Sequence, residues 1–196
     1  MKNKFKYSFF NLRHFFSFLI VFGFSIFVIK CTSSKTSIYD FNYQLTEKIA
    51  KSIYGDLSVQ IPKGWFLAEN NEDKSTDIWL VKDSYSASIK FSLINLNEDA
   101  KRIFSEDALP KIVGINKSLL KMKLGKKFKG FTHEEEFEIN NKRFIAFEYI
   151  NESSFPVRVI VFNHQNKFYE VAAFAKTLEE LNEVFMVQNS ILKTIK

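Results

Sequence analysis

Between Phe131 and Ala175 the chain is written as four apolar segments separated by turn residues, and this stretch most restricts what it can fold into. Phe131 to Ile139 and Lys142 to Ile150 flank Asn140-Asn141, a pair suited to a tight hairpin because asparagine tolerates positive φ. Val157 to Asn163 and Lys167 to Ala175 flank a polar turn at His164-Gln165-Asn166. Side chains alternate along a strand, so Ile145, Phe147 and Tyr149 fall on one side and Phe144 and Ala146 on the other. Both sides are apolar, and a strand of that kind needs a cover on each face of its sheet.

The flanking sequence supplies covers. Asp107 to about Lys123 reads as a helix with an apolar stripe of Ile112, Val113, Leu119 and Leu120. Pro110 is tolerable only in its first turn, and Gly125 and Gly130 mark its exit. Near the C-terminus, Thr177-Leu178-Glu179-Glu180 has the form of a capping box. Leu178, Leu181, Val184, Phe185, Ile191, Leu192 and Ile195 then recur at helical spacing.

Upstream, Leu57 to Ile61 alternates with period two and stops at Pro62-Lys63-Gly64, just before Trp65-Phe66. After a polar loop from Asn70 to Ser75, Asp77 to Lys82 and Ser86 to Asn95 read as two more strands. Residues 38–54 are ambiguous, with Leu45, Ile49 and Ile53 at helical spacing. The order β-β-β-α-β-β-β(β)-α predicts an α+β fold in which helices flank an antiparallel sheet, an α/β/α sandwich.

The first residues have a different character. Lys2, Lys4, Lys6 and Arg13 precede an uncharged run from Phe15 to Ile29, the pattern of a secretory signal. As a helix that run measures about 22 Å, short of the roughly 30 Å of bilayer hydrocarbon. Val28-Ile29-Lys30-Cys31 follows, then a polar stretch from Thr32 to Ser37, and together these resemble a bacterial lipoprotein signal in which the cysteine is acylated. Lys30 departs from the small residue usual before that cysteine. Three readings stand side by side: a relaxed lipobox, cleavage by an ordinary signal peptidase nearby, or an uncleaved anchor. All three place the rest of the chain at or beyond the outer surface of the cytoplasmic membrane. The expected division is 1–31 as signal or anchor, 32–54 as tether and ambiguous helix, and 55–196 as one domain.

Charge excludes a nucleic-acid binder. Of the 28 lysines and arginines, five lie in the first 30 residues, which hold no acid. The remaining 23 face all 22 acidic residues, a net of +1, which is no phosphate-neutralising surface. With a single cysteine there is no intrachain disulfide and no cysteine-based zinc site. No Gly-rich phosphate loop, dinucleotide fingerprint or Gly-x-Ser-x-Gly elbow occurs. The histidines His14, His133 and His164 have no partners at metal-ligand spacing. No cofactor, metal or catalytic residue is expected.

Leu57-Ser58-Val59-Gln60-Ile61-Pro62-Lys63-Gly64-Trp65 and the closing Phe168-Tyr169-Glu170-Val171-Ala172-Ala173-Phe174 before a helix carry a family resemblance. Over roughly residues 55–196, in element order, the chain resembles the PsbP-like superfamily, which includes PsbP, Mog and DcrB-type lipoproteins. The resemblance implies an antiparallel sheet flanked by helices and a binding or assembly role without a shared active site.

Three features invite a functional reading. Glu134, Glu135, Glu136 and Glu138 are either a cation site or an exposed strand face; period-two geometry, which sends neighbours to opposite faces, favours the face. Lys117, Lys121, Lys123, Lys126, Lys127 and Lys129 lie in a stretch without acid from Ala108 to His133, interleaved with Leu119, Leu120, Met122 and Leu124. They form either a partner or membrane contact or a solvated helix end. Trp65 and Trp79 either line a pocket or plug the core. The expected function is a non-enzymatic envelope lipoprotein, anchored to the membrane and binding a protein partner or supporting assembly. The alternative is a small-molecule or lipid carrier with a pocket between sheet and helices.

Overall fold

The computed structural model describes residues 42–53, 56–69, 76–96 and 108–196, all within one compact unit, Tyr39–Lys196. The apolar run from Phe15 to Ile29 expected to be a signal, His14, Lys30, Cys31, the polar stretch after it and the expected loop from Asn70 to Ser75 lie outside the described residues.

Seven strands form one antiparallel sheet, in the order β3 (Trp65–Leu67), β4 (Ile78–Lys82), β5 (Ala87–Ile94), β9 (Lys167–Ala175), β8 (Pro156–His164), β7 (Lys142–Ile150) and β6 (Phe131–Ile139). A separate hairpin pairs β1 (Leu45–Lys51) with β2 (Ser58–Pro62). Helix α1 (Ala108–Leu124) follows β5, and helix α2 (Leu181–Leu192) closes the chain. The α+β architecture predicted from the apolar pattern is the one found.

Two of the three hairpins in the C-terminal half, β6–β7 and β8–β9, turn where their asparagines stand. Asn140 and Asn141 have φ of 50° and 60°, and Gln165 and Asn166 have φ of 50° and 61°, the signature of a two-residue type I′ turn. The second turn is one residue shorter than the His164-Gln165-Asn166 expected, because His164 still pairs with Lys167 across the strands. The register that these turns set splits the apolar side chains between two clusters. Phe144, Ala146, Ile160, Phe162, Tyr169 and Val171 face one side, beneath α2 and the β1–β2 hairpin. Ile145, Phe147, Val157, Val159 and Val161 face the other, where Leu109, Ile112 and Val113 of α1 cover them.

Three local expectations are corrected. Leu45 to Lys51 is a strand, not a helix, and belongs to the folded unit instead of the tether. A bulge between Leu45 and Ile49 breaks its alternation, so only Ala50 among its apolar residues is fully buried and period two is hidden. The reciprocal backbone bonds of a capping box do not form: Glu180 is itself the N-cap, and its carboxylate accepts from Lys82 Nζ at 3.0 Å, Ser86 Oγ at 2.6 Å and the Thr177 hydroxyl at 3.3 Å. Helix α2 starts at Leu181 and leaves Leu178 exposed. Leu119, placed in the apolar stripe of α1, is exposed as well.

Between β2 and β3 the chain crosses from the hairpin into the main sheet. Gly64 makes that corner with φ of 78°, a conformation most side chains resist. Lys63 N donates to Gln44 O at 2.9 Å and Asp83 N donates to Gly64 O at 2.9 Å, tying the corner to its neighbours. This is the physical content of the Pro-x-Gly-Trp motif.

A buried charge joins α2 to the sheet. Arg158 on β8 is 3% exposed. Its Nη1 donates to Asn189 Oδ1 at 2.7 Å and its Nη2 to Glu135 Oε1 at 3.0 Å. Its guanidinium lies 5.7 Å from the rings of both Phe137 and Phe185. Gln188 completes the joint by donating to Val171 O at 2.8 Å. Removing the guanidinium strands the Asn189 amide oxygen in the core and leaves Glu135 only its contact with His133 Nε2 at 3.3 Å. Arg158→Ala should therefore cost about 3 kcal/mol of unfolding free energy, whereas Lys127→Ala, in an exposed pair, should stay within about 0.5 kcal/mol. Urea denaturation of the two variants checks this, and equal losses would refute it.

Candidate functional site

Helix α1 is the element that brings the expected contact residues together, and it does so selectively. Its inward face packs Leu109, Ile112 and Val113 on β7 and β8, with Leu120 against the same cluster. Asn116 Nδ2 donates to Glu170 Oε2 on β9 at 2.5 Å. On the opposite flank Lys117 is bonded to Glu134 of β6, and its ammonium stands 4.7 Å above the Phe131 ring. Lys117 is thus a strut between helix and sheet edge, not part of an outward surface. Lys127 and Lys129 hold the 152–154 turn, donating to Glu152 Oε2 at 2.8 Å and Ser154 Oγ at 3.0 Å.

Lys121, Lys123 and Lys126 are exposed and have no carboxylate partner among the described residues. Beside them the helix carries a second apolar stripe that its inward packing leaves out. Ile115, Leu119 and Met122, at i, i+4 and i+7, are 37%, 58% and 77% exposed. A helix packed on one side ordinarily keeps such positions polar.

The tryptophans do not share a site. Trp65 is buried in the cluster under α2, and Trp79 lies on the α1 face with Lys90 Nζ 4.5 Å above its ring. The sheet separates them. A cleft of about 620 Å³ lies elsewhere, lined by Leu93, Leu96, Ala108, Asn163 and Phe168 at the end of the β8–β9 hairpin. Neither tryptophan lines it.

The glutamates of β6 divide as an alternating strand requires. A bulge at His133, φ 48°, sets the parity so that Glu134 and Glu136 face the α1 side and Glu135 the α2 side. Each has a cation: Lys117 for Glu134, Arg158 for Glu135 and Arg143 for Glu136. Among the described residues no group of three or more His, Cys, Asp or Glu side chains is arranged to hold a metal ion.

A polar cluster whose members are far apart in sequence gathers where the β1–β2 hairpin meets the sheet. Asp56 is bonded to Lys167, and Asp77 Oδ1 accepts from Ile53 N at 2.7 Å. Tyr169 faces the Asp56 carboxylate, and burial together with that carboxylate pushes its phenol pKa far up. His164 is buried, with Nδ1 3.4 Å from Lys142 Nζ. Lys142 also donates to Ile195 O at 3.2 Å. A third cluster fastens α2 to β4, where Lys82 bridges Glu180 at 3.0 Å and Glu183 at 3.1 Å. Chemically these groups join elements. The only trace of them in sequence is a lone charge inside an apolar run, as at Arg158, or a polar gap in a helical stripe, as at Gln188.

No family model and no curated protein matches the sequence. Among solved structures the chain is similar to PsbP of the cyanobacterium Synechocystis sp. PCC 6803, with TM-score 0.52 and 8% identity over 76% of this chain and 91% of that one. It also resembles a Bacteroides thetaiotaomicron protein at TM-score 0.46 and 12% identity, over 76% of this chain and 47% of the other. A Pseudomonas aeruginosa protein of unknown function gives TM-score 0.38 and 12% identity, over 77% of this chain and 95% of that one. The fold is PsbP-like, as the first of these likenesses shows; the two weaker ones add nothing to that assignment.

Burial depresses the His164 imidazole pKa below its ordinary 6.5. The unfolded chain then takes up a proton that the folded chain resists, so stability falls as pH drops through 6.5. Asp56, held low by Lys167, and Glu180, held low by Ser86 and Lys82, add a separate loss below their ordinary 3.8 and 4.5. Glu148, raised by burial, acts in the opposite sense above 4.5. The urea midpoint should fall between about pH 7.5 and 5.5, and His164→Gln should flatten most of that slope. An unchanged slope in the variant would assign the loss to other groups.

Proposed function

We propose that this chain is a non-enzymatic lipoprotein of the cell envelope, acylated at Cys31, whose folded unit binds a protein partner or supports assembly of an envelope complex. The observation that carries the reading is the order of parts along the chain. A basic segment, an uncharged apolar run, a lone cysteine and a polar stretch precede a compact unit that begins at Tyr39. Among the described residues no helix is long and apolar enough to cross a membrane. On this reading the anchor is the N-terminal segment, and the unit faces the periplasm or the exterior.

Two features of the unit support a contact role over a chemical one. Arg158, Lys82, Glu180 and Asp56 join its elements to one another. The exposed apolar stripe of α1, in contrast, faces outward beside lysines that no described carboxylate answers. The carrier reading ranks second and rests on the 620 Å³ cleft near Phe168.

Two measurements test the proposal. Metabolic labelling with a clickable fatty acid should mark the wild-type chain, and Cys31→Ser should lose the label and leave the membrane fraction. A labelled Cys31→Ser variant would move the anchor elsewhere. Crosslinking in intact cells, with purification through a C-terminal tag, should capture one dominant envelope protein. Recovery of the protein alone with a co-purifying small molecule would favour the carrier instead.

A further inference from the structure

The second face of α1 calls for an occupant. Ile115, Leu119 and Met122 expose an apolar stripe on an element whose other side already has a full packing partner. Lys121 and Lys123 stand in the last turn, and Lys126 in the 3-10 turn that continues it. No acidic residue occurs from Ala108 to His133, so the helix and the turn after it contribute charge of one sign.

We infer that this face of α1 rests on an anionic lipid bilayer, with Ile115, Leu119 and Met122 at the boundary of headgroups and acyl chains. Lys121, Lys123 and Lys126 then reach lipid phosphates. The inference rests on the anchored reading given above.

Three observations favour lipid over another protein surface. The pattern itself is that of an interfacial helix, a narrow apolar stripe beside flexible lysines whose stems lie along it while their ammonium groups stay in the polar layer. The densest acidic run, Glu134 to Glu136, is already paired, so a second copy of this chain would answer the lysines only with scattered exposed carboxylates such as Glu47, Glu138 and Glu179. The anchor also keeps the unit near the bilayer. Residues from Cys31 to Asn42 span at most about 40 Å when extended.

That reach has to satisfy a geometric condition. The first described residues enter on the α2 side of the sheet, where Tyr43 N donates to Ser190 Oγ at 3.2 Å. Helix α1 lies on the other side, so the connection has to pass around a helix–sheet–helix unit roughly 20–25 Å thick. An extended connection of about 40 Å is long enough. Docking through α1 then leaves α2 and the β1–β2 hairpin turned away from the bilayer, available to the protein partner.

The test uses the full chain with an environment-sensitive fluorophore on a non-canonical residue at position 122. It is mixed with vesicles of phosphatidylcholine, alone or with phosphatidylglycerol, that carry spin-labelled lipid. Flotation reports anchoring, and quenching reports docking. Flotation with both vesicle types and quenching only with the anionic ones is the expected result. In the triple variant Lys121→Glu, Lys123→Glu, Lys126→Glu the docked fraction should fall tenfold or more, from about one headgroup attraction lost per lysine. Its flotation should not change.

Flotation with both vesicle types and no quenching would overturn docking and leave the anchor standing. Flotation and quenching with anionic vesicles alone would do the reverse. No flotation with either would remove both. Quenching that survives the charge reversal would also overturn the inference, as would a photo-crosslinker at Leu119 that captures a protein in cells.

Discussion

A strand buried on both faces cannot stand without two covers, and the whole unit is arranged around β8. Every residue from Val157 to Phe162 is buried, alternately beneath α1 and beneath α2 with its hairpin. Its neighbours β7 and β9 share the condition in part. The two helices are therefore not decorations of a sheet that would persist alone. Each removes from water a row of aliphatic and aromatic side chains that the other cannot reach, and burial of that kind is the main favourable term in folding. The antiparallel order follows, since short hairpins join β6 to β7 and β8 to β9 while helices occupy both faces.

Within that frame the unit uses its charged residues as fasteners. Arg158 is the clearest case, because it occupies an inward position of β8 where an aliphatic side chain would be expected. A buried guanidinium is costly unless its donors are met, and here Asn189, Glu135 and two phenylalanine rings meet them. The result is directional where apolar packing is not, and it specifies how α2 sits on the sheet. Lys82 with Glu180 and Glu183, and Asp56 with Lys167, do the same at two other seams, nearer the solvent and correspondingly weaker. With these groups engaged, the outer side of α1 remains unmatched among the described residues. That is where the proposed contact falls.

Legibility in the sequence followed how local each determinant was. Asn140-Asn141 declared its turn because positive φ at two consecutive residues is a property of the residues themselves. The two-sided burial of Phe144 to Tyr149 was legible for the same reason, since alternation requires only a regular backbone. At β1 the reading failed because a bulge broke that regularity. The capping box failed because Lys82 and Ser86, distant in sequence, hold the Glu180 carboxylate along with the Thr177 hydroxyl, and the helix begins only after Glu180. Of the lysine run, the sequence located the charge but could not sort it. Lys117, Lys127 and Lys129 turned inward or toward the 152–154 turn, leaving Lys121, Lys123 and Lys126 outward.

The sequence by itself determined the number of faces to be covered, the hairpin turns, and the separation of a basic, apolar N-terminal segment from a charge-balanced remainder. These depend on side-chain period, on the conformational tolerance of single residues and on counts of charge. Tertiary structure alone decided that Trp65 and Trp79 lie on opposite sides of the sheet, and that Gln188 and Asn189 on α2 meet Arg158 on β8. It also decided that Leu119 stays in solvent while Leu120 packs. Each of these is a matter of which distant element arrives at a given face. Pairing across many residues of intervening chain leaves no period in the sequence from which it could be read.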